Sequence, residues 1–125
     1  MNRMLFAAGL SFALCACGGS QKNEVSDNPF FTEYSTPFGV PPFDQIKLEH
    51  YKPAFIKGME EQAKEVEAIV NQKSVPDFDN TIAALDASGK LLDKVSYVFY
   101  GLNSANTSDE MQALSKEMSP LLKKH

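Results

Sequence analysis

Between residues 47 and 72 the apolar positions recur mostly at steps of three or four: Tyr51, Ala54, Phe55, Met59, Ala63, Val66, Ile69 and Val70. That spacing places them on one face of a helix. Glu60, Glu61, Lys64, Glu65 and Glu67 fall mostly off that face, and Glu60–Lys64 has the favourable acid-first order. Pro53 lies near the predicted start, where a missing N–H does least harm. Residues 71–78 (NQKSVPDF) break the pattern at Pro76. A second helix is expected from Asp79 or Asn80, either of which can act as N-cap, to about Asn103. Its stripe is Ile82, Leu85, Leu92, Val95, Phe99 and Leu102, with Ser88-Gly89 in the middle. A mid-helix Gly costs about 1 kcal/mol relative to Ala, and Gly89 is read here as allowing two helices to approach closely. Residues 104–107 (SANT) form a tight connection. Thr107 and Glu110 have capping-box spacing and open a third helix, with stripe Met111, Leu114, Met118, Leu121 and Leu122. Pro120 inside that helix predicts a kink or a stop. The fold class is therefore all-α. About three helices joined by short loops imply antiparallel neighbours. No segment alternates as a strand would, and no internal repeat is evident.

The helices are preceded by segments of different character. Residues 29–46 form a Pro- and aromatic-rich arm; Pro29, Pro37, Pro41 and Pro42 suit neither a helix nor a central strand. The arm is expected to lie extended across the helices, with Phe30, Phe31, Phe38 and Phe43 as anchors. Residues 17–28 are small and polar and read as a flexible tether of roughly 20 Å. The first 16 residues begin with a short positive stretch, Met1-Asn2-Arg3, followed by thirteen uncharged, mostly apolar residues, Met4 to Ala16. Thirteen is short of the ~20 residues that span a bilayer core but suits a cleaved signal peptide. The sequence Leu14-Cys15-Ala16-Cys17 has the form of a bacterial lipobox, with Cys17 in register. Cys17 is thus the candidate lipidation site. Each buried methylene contributes about 0.8 kcal/mol, so two or three acyl chains anchor stably where one does not. Gly18 follows, where Asp is the usual inner-membrane retention signal, so the expected location is the cell envelope, lipid-anchored at the outer membrane and facing the periplasm.

Charge narrows the function classes. Arg3 is the only Arg; removing the leader leaves 11 Lys against 16 Asp+Glu, a formal charge of −5. Nucleic-acid binding needs a basic patch and uses Arg to read bases, so it is excluded as an expectation. The residues present carry little local chemistry. The two His are His50 and His125, and neither belongs to an H-E-x-x-H zinc motif. His50 reads as a helix-start or packing residue. No G-x-S-x-G elbow and no phosphate-cradling Gly-rich loop is present. Glu60-Glu61 and Asp77/Asp79 read as a solvated face and a turn. No catalytic and no metal-ligating residue is assigned.

The order of landmarks carries more information. Asn28-Pro29-Phe30-Phe31 is followed by Pro41-Pro42-Phe43-Asp44-Gln45-Ile46, then by Glu49-His50-Tyr51-Lys52-Pro53-Ala54-Phe55 and Gly58-Met59. Pro76-Asp77-Phe78-Asp79-Asn80-Thr81-Ile82, Ser88-Gly89-Lys90-Leu91-Leu92 and Ser104-Ala105-Asn106-Thr107 complete the series. This set resembles the N-terminal region of bacterial peptidyl-dipeptidases (dipeptidyl carboxypeptidases), in the zinc metallopeptidase family of oligopeptidase A, thimet oligopeptidase and neurolysin. Asp79 departs from the family's more usual Glu but keeps the acid. The resemblance implies a much longer, almost entirely helical protein whose two lobes enclose a channel for short peptides. It implies one zinc ion held by H-E-x-x-H and a downstream Glu, and release of C-terminal dipeptides from oligopeptide substrates. It assigns none of those groups to a residue of this sequence.

On this reading, residues 47–125 are a structural, incomplete part of one lobe, inactive alone. Their apolar faces were shaped to meet further polypeptide, so the isolated chain is expected to be marginally stable and prone to aggregate. The competing reading is a complete small helical lipoprotein that acts as a binding module, gripping a partner with its aromatic arm.

Overall fold

A computed structural model describes residues 27–125. The proposed signal peptide and Cys17 lie outside the described residues, as does most of the tether. Four helices are seen: α1 (Leu48–Val70), the single-turn α2 (Ala84–Asp86), α3 (Lys90–Ala105) and α4 (Asp109–Lys124). A π-helical turn, Phe78–Ala83, runs directly into α2. No strand occurs among the described residues, and the fold is all-α.

Each helix start has a local cause. At the head of α1 the backbone N–H of Lys47 donates to His50 Nδ1 at 3.1 Å, so His50 is a helix-start residue. Pro53 sits in the second turn of α1 rather than the first, where its ring leaves the Glu49 carbonyl without an i+4 donor. The expected caps Asp79 and Asn80 are displaced by Asp77, whose carboxylate accepts from Asn80 N at 2.7 Å while Asn80 Oδ1 accepts from Asp77 N at 2.9 Å. Asp77 wins because it alone stands three residues before an amide that can return the bond. Likewise α4 is capped by Ser108, whose Oγ accepts from Met111 N at 3.2 Å. Thr107 turns back to Asn103 Oδ1 instead. The acids Asp109 and Glu110 in the first turn of α4, and Lys123 and Lys124 in the last, suit the helix dipole. The helix continues past Pro120 to Lys124, so the expected stop does not occur there.

The expected second helix is divided. Gly89 has φ +77°, a left-handed conformation that ends the Phe78–Asp86 section and starts α3 anew. Its N–H donates to Glu65 Oε2 of α1 at 2.7 Å. The close helix approach expected at Gly89 occurs at Gly58 instead: a Cβ there would lie 2.9 Å from the backbone N and Cα of Leu92. Splitting the helix also splits its stripe. Leu92, Val95 and Phe99 enter the core, whereas Ile82 and Leu85 are about half exposed.

The core lies between α1, α3, α4 and the beginning of the arm. Phe55, Phe99 and Met118 are fully buried there, with Tyr51, Ala54, Val95 and Leu114 around them. Tyr51 and Phe99 meet edge-on at 5.1 Å between centroids, and Phe55 and Phe99 at 5.4 Å; such pairs add roughly 0.5–1.5 kcal/mol each beyond burial. α3 runs antiparallel to α1. α4 runs parallel to α1, joined to it by Lys52–Glu117 at 2.5 Å and Gln62–His125 at 2.8 Å. The far end of the α1 stripe leaves the core: Ala63 and Val70 are exposed.

The arm carries two 3-10 turns, Pro29–Phe31 and Pro37–Gly39. Two of its four expected anchors act as such. Phe30 is buried against Tyr51 at 5.3 Å, and Phe31 packs at the core's edge. Phe38 is fully exposed with φ +60°, and Phe43 is half exposed. Phe38 lies inside the Pro37–Gly39 turn, and Phe43 in a second turn that follows Pro41-Pro42. Asn28 fastens the arm by donating to the His50 carbonyl at 2.8 Å.

Candidate functional site

Two helix ridges form a concave surface. Along α1, Leu48, Lys52, Ile56 and Glu60 follow one another at steps of four; along α4, Glu110, Ala113 and Glu117 follow at steps of three and four, with Leu114 beside Ala113. Because α1 and α4 run parallel, the ridges leave an open groove of about 1050 Å³ between them, with Phe31 and Pro53 also on its wall. Its floor is apolar. Leu48 and Ile56 remain 39% and 38% exposed, so this surface is apolar without being packed. The rim is charged: Lys52 pairs with Glu117 at 2.5 Å, and Lys57 pairs with Glu61 at 3.7 Å while lying 4.2 Å over the Phe31 ring. Glu110 has its carboxyl held below the usual range by its own backbone N–H and then by the Ser108 hydroxyl.

A second feature fastens the arm. Lys94 Nζ donates to the carbonyls of Phe30 and Thr32, at 3.2 and 2.6 Å, and stands 3.8 Å from the Tyr34 ring centroid. Burial lowers the pKa of this ammonium, against an opposing contribution from Glu33. The Tyr34 hydroxyl is buried beside a small polar hollow of about 260 Å³ and has no hydrogen-bond partner among the described residues. Burial first, and the neighbouring Tyr51 second, raise its pKa. Tyr51 is raised by burial alone.

The residues singled out for chemistry do not converge. His50 stands at the head of α1, and its ring nitrogen is engaged by Lys47 N. His125 stands at the far end of α4, against Gln62. Among the described residues no group of three or more His, Cys, Asp or Glu side chains could hold a metal ion. A zinc ion of the kind the family resemblance implies does not fit these side chains, and no catalytic step can be derived from them. Cys17 lies outside the described residues. Among those residues no helix is long and apolar enough to cross a membrane.

The groove residues were missed in the sequence because the dominant stripe, through Tyr51, Phe55 and Met59, accounts for the helix by itself. A second stripe, Leu48–Lys52–Ile56–Glu60, was present beside it and could have been read as another apolar face. Lys94 offered no such signal, since its partners are backbone carbonyls sixty-odd positions away.

No family model matches the chain. It is 45% identical over 92 residues to dipeptidyl carboxypeptidase of Escherichia coli, a match covering 74% of this chain and 14% of that protein. It is 44% identical over 95 residues to dipeptidyl carboxypeptidase of Salmonella typhimurium, covering 76% and 14%. It is 32% identical over 94 residues to oligopeptidase A of Escherichia coli, covering 72% and 13%. The resemblance read from the landmark order therefore holds, and the chain matches only about a seventh of the length of these relatives.

Proposed function

From its kinship with dipeptidyl carboxypeptidase and oligopeptidase A, we propose that this chain is the N-terminal part of a peptidase that releases dipeptides from the C-termini of short peptides. The identity to dipeptidyl carboxypeptidase, 45% against 32% for oligopeptidase A, is the observation that carries this reading and favours dipeptide release over internal cleavage. Within that protein the 125 residues are structural. Their helices build part of a wall, and the residues that bind substrate and perform hydrolysis lie in polypeptide beyond those described here. The proposal includes dependence on zinc, which would act as a Lewis acid on the peptide carbonyl and activate a water molecule. It includes lipid attachment at Cys17 and a place at the outer membrane facing the periplasm, supported by the Leu14-Cys15-Ala16-Cys17 sequence and by Gly18.

The test uses the whole reading frame in which this sequence occurs. Expressed and incubated with an N-blocked tetrapeptide, its product should release the C-terminal dipeptide. A chelator should abolish release and added zinc should restore it. Internal cleavage of longer peptides with no dipeptide product would replace the dipeptidase reading with an oligopeptidase one, and no hydrolysis at all would overturn both. The 125-residue chain should be inactive with or without chelator. Metabolic labelling with a fatty acid should mark the wild type and not Cys17→Ser; label retained in the variant would exclude Cys17 as the anchor.

A further inference from the structure

The groove between α1 and α4 is an apolar surface that is concave and walled by two helices, unlike the exposed Val70, Val75 and Phe78, which lie outside it. Its walls restrict what can fill it. Both are α-helices, whose backbone N–H and C=O groups are, past the first turn and apart from the Glu49 carbonyl that Pro53 leaves free, already used within the helix. An extended peptide laid there would find few main-chain partners, unlike one added to a sheet edge. A helix brings its own backbone bonds satisfied and presents a ridge to a groove. The α1 wall runs from Leu48 to Glu60, about 18 Å at 1.5 Å per residue, which matches about three turns of an occupant.

Charge selects further. The groove is lined by Glu49, Glu60, Glu110 and Glu117 against only Lys52 and Lys57. Both lysines are committed, to Glu117 and to Glu61. Glu60 and Glu110 take part in no ion pair among the described residues, and Glu49 has a 3.7 Å contact with Lys47, as long as the one between Lys57 and Glu61. Glu49 and Glu110 stand in the first turns of their helices, and Glu60 lies at the other end of the α1 wall. The uncompensated charge is thus negative at both ends of an apolar trough.

We propose that the α1–α4 groove seats an amphipathic helix of about three turns, its apolar stripe bordered by Lys or Arg at both ends, contributed by the remainder of the peptidase. The source rests on the peptidase reading: the matched stretch is 14% of the relative's length, so most of such a protein lies outside it. The chemistry of the occupant rests on the groove alone.

The probe is a synthetic Ala-based helix with Leu at every fourth position and Lys at both ends, compared with the same helix ending in Glu. Fluorescence anisotropy against the 125-residue chain should show binding of the Lys-ended peptide at least tenfold tighter than the Glu-ended one, weakening with salt. Ile56→Glu should reduce binding at least tenfold. Ala113→Glu, on the exposed opposite wall, should do the same if Ile56→Glu disturbs folding. Glu60→Lys with Glu110→Lys should invert the preference between the two peptides. Equal binding of both peptides, or none, would overturn the proposal. Equal binding of a Pro-interrupted extended version would assign the groove to an unfolded peptide, and a dimer dissociated by Ile56→Glu would assign it to a second copy. For the source, Ala113→Cys with Cys15→Ser and Cys17→Ser, followed by mass spectrometry of the peptide containing position 113, should react with a maleimide at least tenfold more slowly in the product of the whole reading frame than in the 125-residue chain. Equal rates would show that the remainder does not cover the groove, whether or not that product hydrolyses peptides.

Discussion

Gly58 and Tyr51 show how much a single side chain decides here. Gly58 touches backbone atoms of Leu92 at the position a Cβ would occupy, so Gly58→Ala should push α1 from α3 and lower stability by about 1–3 kcal/mol, read from the urea midpoint. The flexible end of Gln62 is what a Cβ at Gly89 would meet; the difficulty there is the left-handed backbone, not the contact. Tyr51 governs behaviour in alkali. Burial raises its hydroxyl above the ordinary value of 10.0, so on raising pH the unfolded chain gives up this proton before the folded one. The associated stability is complete below pH ~10 and is lost as pH climbs through the folded-state value. Tyr34 acts in the same direction, and Lys94, whose pKa is lowered, acts in the opposite one. Tyr51→Phe keeps the ring between Phe30 and Phe99, so it should flatten the fall in thermal midpoint above pH 9 while leaving the neutral value nearly unchanged. An equally steep fall in the variant would assign the loss to other groups. At this scale the apolar identities were legible in the sequence. The role of Gly58 was not, because close approach depends on which residue of another helix stands opposite.

Periodicity located both ends of α1, and the start of α4, to within a residue or two, since each carries a continuous stripe; the cap expected at Thr107 is Ser108 instead, and α4 runs on past Pro120. It failed between residues 79 and 103, where two short stripes in compatible phase read as one. Ser88-Gly89 was the only mark of the break, and a glycine in mid-stripe is consistent with either a close contact or a left-handed turn. Tertiary context decided, because Glu65 on α1 offers an acceptor for Gly89 N–H. The aromatic arm was likewise half legible: four Phe of similar appearance divide into two anchors and two rings exposed in turns. Pro120 is an interior helix proline that α4 tolerates, exposed and without evident packing. Replacing it by Ala restores a backbone donor, and Pro→Ala in a helix interior is worth up to about 3 kcal/mol. Pro120→Ala should raise the thermal midpoint and the helical circular dichroism signal. A drop would mean that α4 needs the proline's shape.

Taken as a whole, the molecule has one tight aromatic core and a large apolar exterior. Ile82, Leu85, Phe78, Val75 and Val70 are half exposed or more, in addition to the groove. A fragment with this surface should self-associate: light scattering at rising concentration should show aggregation of the isolated chain, and Phe78→Lys with Ile82→Lys should delay it without shifting the fluorescence or circular dichroism of the core. Phe55→Ala, at about 3–5 kcal/mol, should unfold the chain outright; a cooperative melt retained by that variant would show a reserve of stability that the exposed surface does not suggest. What the sequence determined by itself was the helical class, the approximate extents of α1 and α4, and the resemblance to dipeptidyl carboxypeptidase, because periodicity and ordered motifs are local properties of a chain. Only the tertiary structure decided which apolar positions are core and which are left open, since burial depends on the partner that a face meets. Leu48 and Ile56 are as apolar as Leu92 and Val95, but Leu92 and Val95 on α3 are buried in the core, whereas Leu48 and Ile56 on α1 line the groove and stay 39% and 38% exposed.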